Sequence, residues 1–144
     1  MELISIDFES EAIEDRPKYP PTPVGVAICS EGGVPAYHSW GHPTENNCTL
    51  EYATRKLKRL LEDPNNEFVF HNTPFDCSIL EEKLGLVVPW TRVHDTMVLA
   101  FLDDPFGELS LKPLAEQHLG LPPNERDAVK EWLISNGVCR DTKG

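Results

Sequence analysis

Ile4-Ser5-Ile6-Asp7-Phe8-Glu9-Ser10 is the stretch that decides the reading of this chain. Apolar and polar residues alternate with the period of a β-strand, whose successive side chains point to opposite faces. Ile4, Ile6 and Phe8 therefore turn into a core, while Asp7 and Glu9 project together from the other face. Two adjacent carboxylates repel, and one of them must hold a proton unless a cation lies between them. A hard divalent ion such as Mg²⁺ or Mn²⁺ removes that cost, since such ions are commonly bound through one or two carboxylates. The plain alternative is a solvated edge strand carrying two exposed acids.

At 144 residues, with 40% hydrophobic and 26% charged residues, the chain has the size and balance of one globular domain. No run approaches the ~20 apolar residues of a membrane span, and the start lacks a basic segment followed by an apolar one. Met1 leads almost directly into the first strand, as at a genuine start. The cysteines at 29, 48, 77 and 139 form no C-x-x-C pair, so a zinc cage is not expected. Cys29 and Cys77, in apolar surroundings, read as small core residues of a reduced, cytoplasmic protein. The net charge of −11 is awkward for a nucleic-acid binder. It is less so where bound metal ions supply the local positive charge.

Strands are expected over residues 3–9, 24–29, 34–40 and 67–70. The proline-rich stretch 14–23 reads as an exposed loop beside the end of the first strand. A helix is expected from Thr49, its N-cap, to Leu61, with Leu57, Leu60 and Leu61 inward and Arg55-Lys56-Leu57-Lys58-Arg59 as a solvated basic face. Further helices are expected from Pro74 to Leu84 with Gly85 as the stop, from Asp95 to Leu102, from Ser110 to Leu119, and from Glu125 to Asn136. This order of elements makes an α/β domain with a mixed sheet.

The second acid of interest follows Phe70-His71-Asn72-Thr73-Pro74-Phe75. Asp76 falls in the first turn of its helix, where a carboxylate suits the helix dipole. That placement serves as a cap; it also sets Asp76 where a crossing helix could bring it beside Asp7 and Glu9. Asp95 reads as a helix N-cap rather than a ligand. His71, at the end of a buried strand, reads as a hydrogen-bonded structural histidine, although a proton-transfer role is open to it and to His94. His38 and His42 share no face and make no metal pair. Trp40, Trp90 and Trp132 read as packing residues, with base stacking as the alternative.

Taken in order, these segments resemble a known family. Asp7-Phe8-Glu9 resembles the first motif of the DEDD-type 3′→5′ exonucleases, and Asn72-Thr73-Pro74-Phe75-Asp76 the second. His94-Asp95-Thr96-Met97 and Leu109-Ser110-Leu111-Lys112-Pro113-Leu114-Ala115 resemble stretches that follow in proofreading domains of family A DNA polymerases, most of all those of bacteriophages. The resemblance implies a ribonuclease H-like mixed sheet flanked by helices. It also implies hydrolysis of DNA phosphodiester bonds from a single-stranded 3′ end by two metal ions roughly 3.5–4 Å apart. Asp7, Glu9 and Asp76 would be the catalytic metal ligands, with Mg²⁺ or Mn²⁺ as cofactor. The Ser10 backbone, Asn72 and Phe75 would support the terminal nucleotide. A polymerase domain would follow in the same chain, in the cytoplasm of a bacterial host and with no membrane partner.

The family's fourth acid, in a Tyr-x-x-x-Asp motif or its His equivalent, has no match. Asp127 and Asp141 lack the preceding Tyr or His, and Asp103 and Asp104 come too early. The expectation is a single domain, residues 1–144, cut before that acid and weak or inactive alone. The alternative is a nuclease-dead ribonuclease H-like module that binds nucleic acid or a partner protein. The missing acid and the net charge favour it, and the three retained acids oppose it.

Overall fold

The structure, a computed structural model, describes residues 1–120. The expected helix over 125–136, with Trp132, Asp127, Cys139 and Asp141, lies outside the described residues. The chain divides into two compact units, residues 1–99 and 100–144.

The first unit is built on a five-stranded sheet: β1 (Glu2–Ser10), β2 (Pro23–Ser30), β3 (Ala36–Ser39), β4 (Asn66–Phe70) and β5 (Val93–Asp95). The strand order is β3-β2-β1-β4-β5. The first three strands are antiparallel neighbours, whereas β4 runs parallel to both β1 and β5. Thus β1 is the central strand, which removes the reading of Asp7 and Glu9 as acids on an edge strand. Its alternation is as expected: Ile4, Ile6 and Phe8 are buried while Asp7 and Glu9 are exposed.

Helix α1 (Leu50–Glu62) supplies the crossover from β3 to β4. Thr49 caps it as expected, its side chain accepting from the Tyr52 N–H at 3.1 Å. Ala53, Leu57 and Leu61 give its buried stripe, and Leu60 packs against the core from the flank. At its other end the Arg92 guanidinium donates to the carbonyls of Leu61 (2.8 Å) and Asp63 (2.7 Å), satisfying acceptors that the helix leaves open. Ile4, Val26, Leu57, Phe68, Phe70 and Leu80 form the centre of one continuous apolar core.

Several expectations need correction. The helix expected from Pro74 to Leu84 is α2 (Thr73–Ser78) followed by a π-turn over Ile79–Lys83, in which Leu84 N–H reaches back to the Ile79 carbonyl. Gly85 does end it, at φ 64°. Strand β5 was not expected; its three residues are too few to show alternation. The third strand is shorter than 34–40, and Val34 is exposed. The loop 14–23 is not wholly exposed, because Pro20 and Pro21 are buried. Arg16 of this loop pairs with Glu82 at 3.2 Å and lies over the Tyr19 ring. Cys77 is a core residue, but Cys29 is only half-buried.

Helix α3 (Thr96–Asp103) begins directly after β5, so Asp95 is both the last strand residue and the cap. In the second unit, α4 (Leu111–Leu119) starts after Ser110 and stops at Gly120, as expected. Among the described residues no helix is long and apolar enough to cross a membrane.

Candidate active site

The site forms where β1 outruns its parallel neighbour. Pairing with β4 runs from Glu2↔Asn66 to Ser5↔Val69 and then stops. The Phe8 N–H, past the last paired residue and buried, would have no acceptor there, which costs about 1–3 kcal/mol. Asp76 supplies one: its Oδ1 accepts from the Phe8 N–H at 2.9 Å. A carboxylate from α2 is thereby fixed on β1 at the residue between Asp7 and Glu9.

Local chain geometry makes this reach possible. Asn72 sits in the left-handed region at φ 68°, an uncommon conformation for a residue other than glycine, and turns the chain sharply from β4 into α2. The turn is pinned by Asp95, which accepts from Asn72 N–H at 3.1 Å through Oδ1 and from Thr73 N–H at 2.8 Å through Oδ2. The same carboxylate accepts from Met97 N–H at 2.8 Å. Asp95 thus caps α3, as expected, and also clamps the start of α2. Burial pulls its carboxyl upward, but the amides of Thr73, Met97 and Asn72 outweigh this and hold it below the usual range. Its oxygens are committed to backbone, so it is a positioning residue for Asp76.

The electrostatics of the three acids differ. Asp76 is 1% exposed, and burial, opposed by the Phe8 amide and reinforced by the charge of Asp7, pushes its pKa up to about 7. Asp7 is also raised, by partial burial, with the nearby His71 acting in the opposite direction. None of Asp7, Glu9 and Asp76 has a Lys or Arg ion-pair partner among the described residues. Carboxylate oxygens that lack a protein counter-charge suit a hard divalent cation, and these three acids could hold one. They do not form a ready cage: among the described residues no three His, Cys, Asp or Glu side chains already converge as metal ligands.

The remaining residues of interest fall around this centre. Ser10 lies at a β-bulge between Glu9 and Ser10, with its hydroxyl donating to the Glu11 carbonyl at 2.9 Å. Asn72 is exposed, and Phe75 is half-buried against the core, leaving part of its ring open. His71 is structural in one respect: Nδ1 lies 2.9 Å from the Thr96 hydroxyl, which itself donates to the Phe70 carbonyl at 3.1 Å. His94 pairs with Glu67 at 2.6 Å. Trp40 packs against the core, and the exposed Trp90 donates to Glu81 at 3.2 Å. Cys77, with a thiol raised to about 12 by burial and Asp76, is inert packing.

A residue not singled out from sequence also borders the acids. Tyr37 lies across β2 from them, its ring over Gly25, the β2 residue paired with Glu9. Only glycine fits there, since an added Cβ would stand 2.1 Å from the Tyr37 hydroxyl oxygen.

The mixed five-stranded sheet flanked by helices, with a β1 site approached by a helix-borne acid, defines an α/β domain of the ribonuclease H-like class. Residues 1–141 match the model of the 3′-5′ exonuclease family, and the chain belongs to that family. It is 30% identical over 120 residues to the DNA polymerase of Escherichia phage T5, a match covering 80% of this chain and 13% of that protein. Among solved structures it resembles Trypanosoma brucei RNase D in complex with GMP, with a TM-score of 0.68 and 20% identity, covering 94% of this chain and 40% of that one. It also resembles Brucella melitensis NrnC with bound Mg²⁺, with a TM-score of 0.64 and 18% identity, covering 85% and 56%. The chain therefore spans a small part of the curated relative and about half or less of these structures.

Proposed function

We propose that this chain is the proofreading 3′→5′ exonuclease portion of a phage-type DNA polymerase, hydrolysing phosphodiester bonds at a single-stranded DNA 3′ end. The observation that carries the reading is the Asp76 carboxylate anchored on the Phe8 amide between Asp7 and Glu9. An N–H donor with no other acceptor explains why the acid is there. It does not explain why Asp7, Glu9 and Asp76 share one end of one strand without a cation of the protein's own.

On this reading Asp7, Glu9 and Asp76 hold Mg²⁺ or Mn²⁺, which when bound supplies Lewis acidity and a hydroxide nucleophile at neutral pH. Asp76 must give up its proton to take part. Asp95 and Asn72 fix the turn that aims it. Asn72, the open part of the Phe75 ring and the Ser10 backbone line the place where the terminal nucleotide rests. We assign the family's fourth acid to none of the described residues: Asp95 is committed to backbone amides, and Asp103 and Asp104 belong to the end of α3 and the turn beyond it. A polymerase domain in the same chain is the natural partner, in keeping with the phage relative.

With three acids the nucleophile is poorly placed, and misplacement alone can cost ~100-fold. Residues 1–144 should therefore shorten a 5′-labelled oligonucleotide slowly or not at all in Mn²⁺. A longer chain carrying a Tyr-x-x-x-Asp motif should be fast, and Asp7→Ala should abolish its activity. Titration calorimetry completes the test: Mn²⁺ should give heat with the wild type and none with Asp7→Ala. Equal heats would remove the metal site and leave the nuclease-dead module.

A further inference from the structure

The basic run of α1 is more than a solvated face. Tyr52, Arg55, Lys56 and Arg59 recur at i, i+3, i+4 and i+7, which is one helical stripe. It lies away from the buried stripe of Ala53, Leu57 and Leu61. Lys58 is engaged with Glu62 at 3.7 Å, but among the described residues Arg55, Lys56 and Arg59 have no ion-pair partner. Two cavities open along the stripe. One, of about 580 Å³, is lined by Tyr37, His38, Tyr52 and Arg55 among others. The next, of about 390 Å³, is lined by Tyr52, Arg55, Lys56, Arg59 and Leu60. They share Tyr52 and Arg55, so the cavity between β3 and α1 continues along the exposed face of α1 as one groove.

The groove and the acids lie on opposite faces of the sheet: His38, which meets Tyr52 of α1, pairs with Val26 in register with the buried Phe8, whereas Tyr37 pairs with Ala27 in register with Asp7. Tyr37, which lines its near end, is the residue whose ring covers Gly25 opposite Glu9. The ring is held there by a hydrogen bond between its hydroxyl and His42 Nε2 at 2.7 Å. The His38 and Tyr52 rings meet at 6.1 Å between centroids. Burial and the charge of Lys56 both keep the His38 imidazole below its ordinary pKa, so the positive charge comes from the α1 stripe. Aromatic faces interleaved with unpaired cations are the make-up of a surface for single-stranded nucleic acid, where bases stack and phosphates pair with Lys and Arg. A chain of net charge −11 repels a polyanion over most of its surface, so a local cationic track is needed to bring one in.

We propose that the groove along α1, opening beside β3, binds single-stranded nucleic acid, with Arg55, Lys56 and Arg59 on the phosphates and Tyr52 against a base. The statement stands independently of the exonuclease reading.

The test is fluorescence anisotropy of a labelled oligo-dT with the full chain in chelator, where no hydrolysis occurs, repeated across a salt series. Arg55→Ala/Arg59→Ala should weaken binding tenfold or more and lower the slope of log affinity against log salt by about 1.4, at ~0.7 per lost phosphate contact. Tyr52→Ala should weaken binding roughly tenfold with the slope unchanged, as lost stacking does. Lys83→Ala, an exposed cation on the π-turn, should match the wild type. Unchanged melting temperatures would certify that the variants fold. Wild-type affinity and slope in the double variant, or no binding by the wild type, would overturn the groove. Arg55-dependent binding without Mn²⁺-dependent cleavage by any longer chain would sink the exonuclease reading and leave the groove standing. Normal cleavage with binding indifferent to Arg55 and Arg59 would do the reverse.

Discussion

Asp76→Asn isolates the electrostatic tension of the site. The wild-type carboxyl titrates at about 7 in the folded protein against an ordinary value of 3.8. A folded-state pKa raised above the unfolded one gives stability that is complete below the lower value and is lost as pH rises through the upper. Between pH 5 and pH 7 the unfolded chain has released this proton and the folded chain has not. Each of those two units removes about 1.4 kcal/mol, so the metal-free wild type should lose roughly 3 kcal/mol between pH 5 and pH 8 from this residue. For a chain of this size that is a fall of roughly 10 °C in melting temperature. Asn keeps the shape and an oxygen for the Phe8 N–H but has no proton to lose, so its profile should be nearly flat over that range. The assay is thermal or urea unfolding of both proteins in chelator at pH 5, 6, 7 and 8. Saturating Mn²⁺, which favours the ionised acid, should restore the wild type at pH 8 and do nothing comparable for the variant. Parallel pH profiles for the two proteins would refute the reasoning, because they would place the tension elsewhere.

Asp95→Ala should lower stability by about 2–3 kcal/mol, the loss of two helix caps at once, visible as a shift in urea midpoint. Because the Asp95 carboxyl is held below its usual range, its contribution is present at neutral pH and is lost as pH falls below about 4. Wild type and variant should therefore converge in acid. Asp7→Asn should stabilise the metal-free protein slightly, since the acid is raised by burial and adds its charge to Asp76. A clear fall in its melting temperature in chelator would mean that the interaction with His71 outweighs both.

What could be read from sequence followed the strength of the local signal. Ile4, Ile6 and Phe8 alternate with Asp7 and Glu9 over a nine-residue strand, long enough for the period to declare which side is buried. The helix α1 announced itself through the Thr49 cap and the leucine stripe. Strand β5 could not be seen, because three residues show no period and its half-buried side chains look like a loop. The π-turn after α2 depends on a backbone hydrogen bond from Leu84 to Ile79 that no side-chain pattern encodes. The double duty of Asp95 was hidden for a different reason. Its α3 half is local and was legible as a cap, whereas its α2 half joins residues more than twenty positions apart and depends on the left-handed turn at Asn72. Tyr37 was passed over because its place over Gly25 follows from cross-strand register, which the sequence does not print.

The division of charge within the first unit has a physical logic. If Arg55 or Arg59 stood against Asp7, Glu9 or Asp76, it would lower their pKa values, make a stable ion pair and leave no need for a cation from outside. The basic residues instead ride on α1, which packs on the face of the sheet opposite the one from which Asp7 and Glu9 project. Asp7 and Asp76 keep their mutual repulsion and Asp76 its desolvation, an arrangement that lowers the stability of the fold at neutral pH. On α1, Arg55, Lys56 and Arg59 keep their charge without an ion-pair partner among the described residues. On the proposed reading, each half binds the partner that the other repels, the acids a cation and the helix a phosphate.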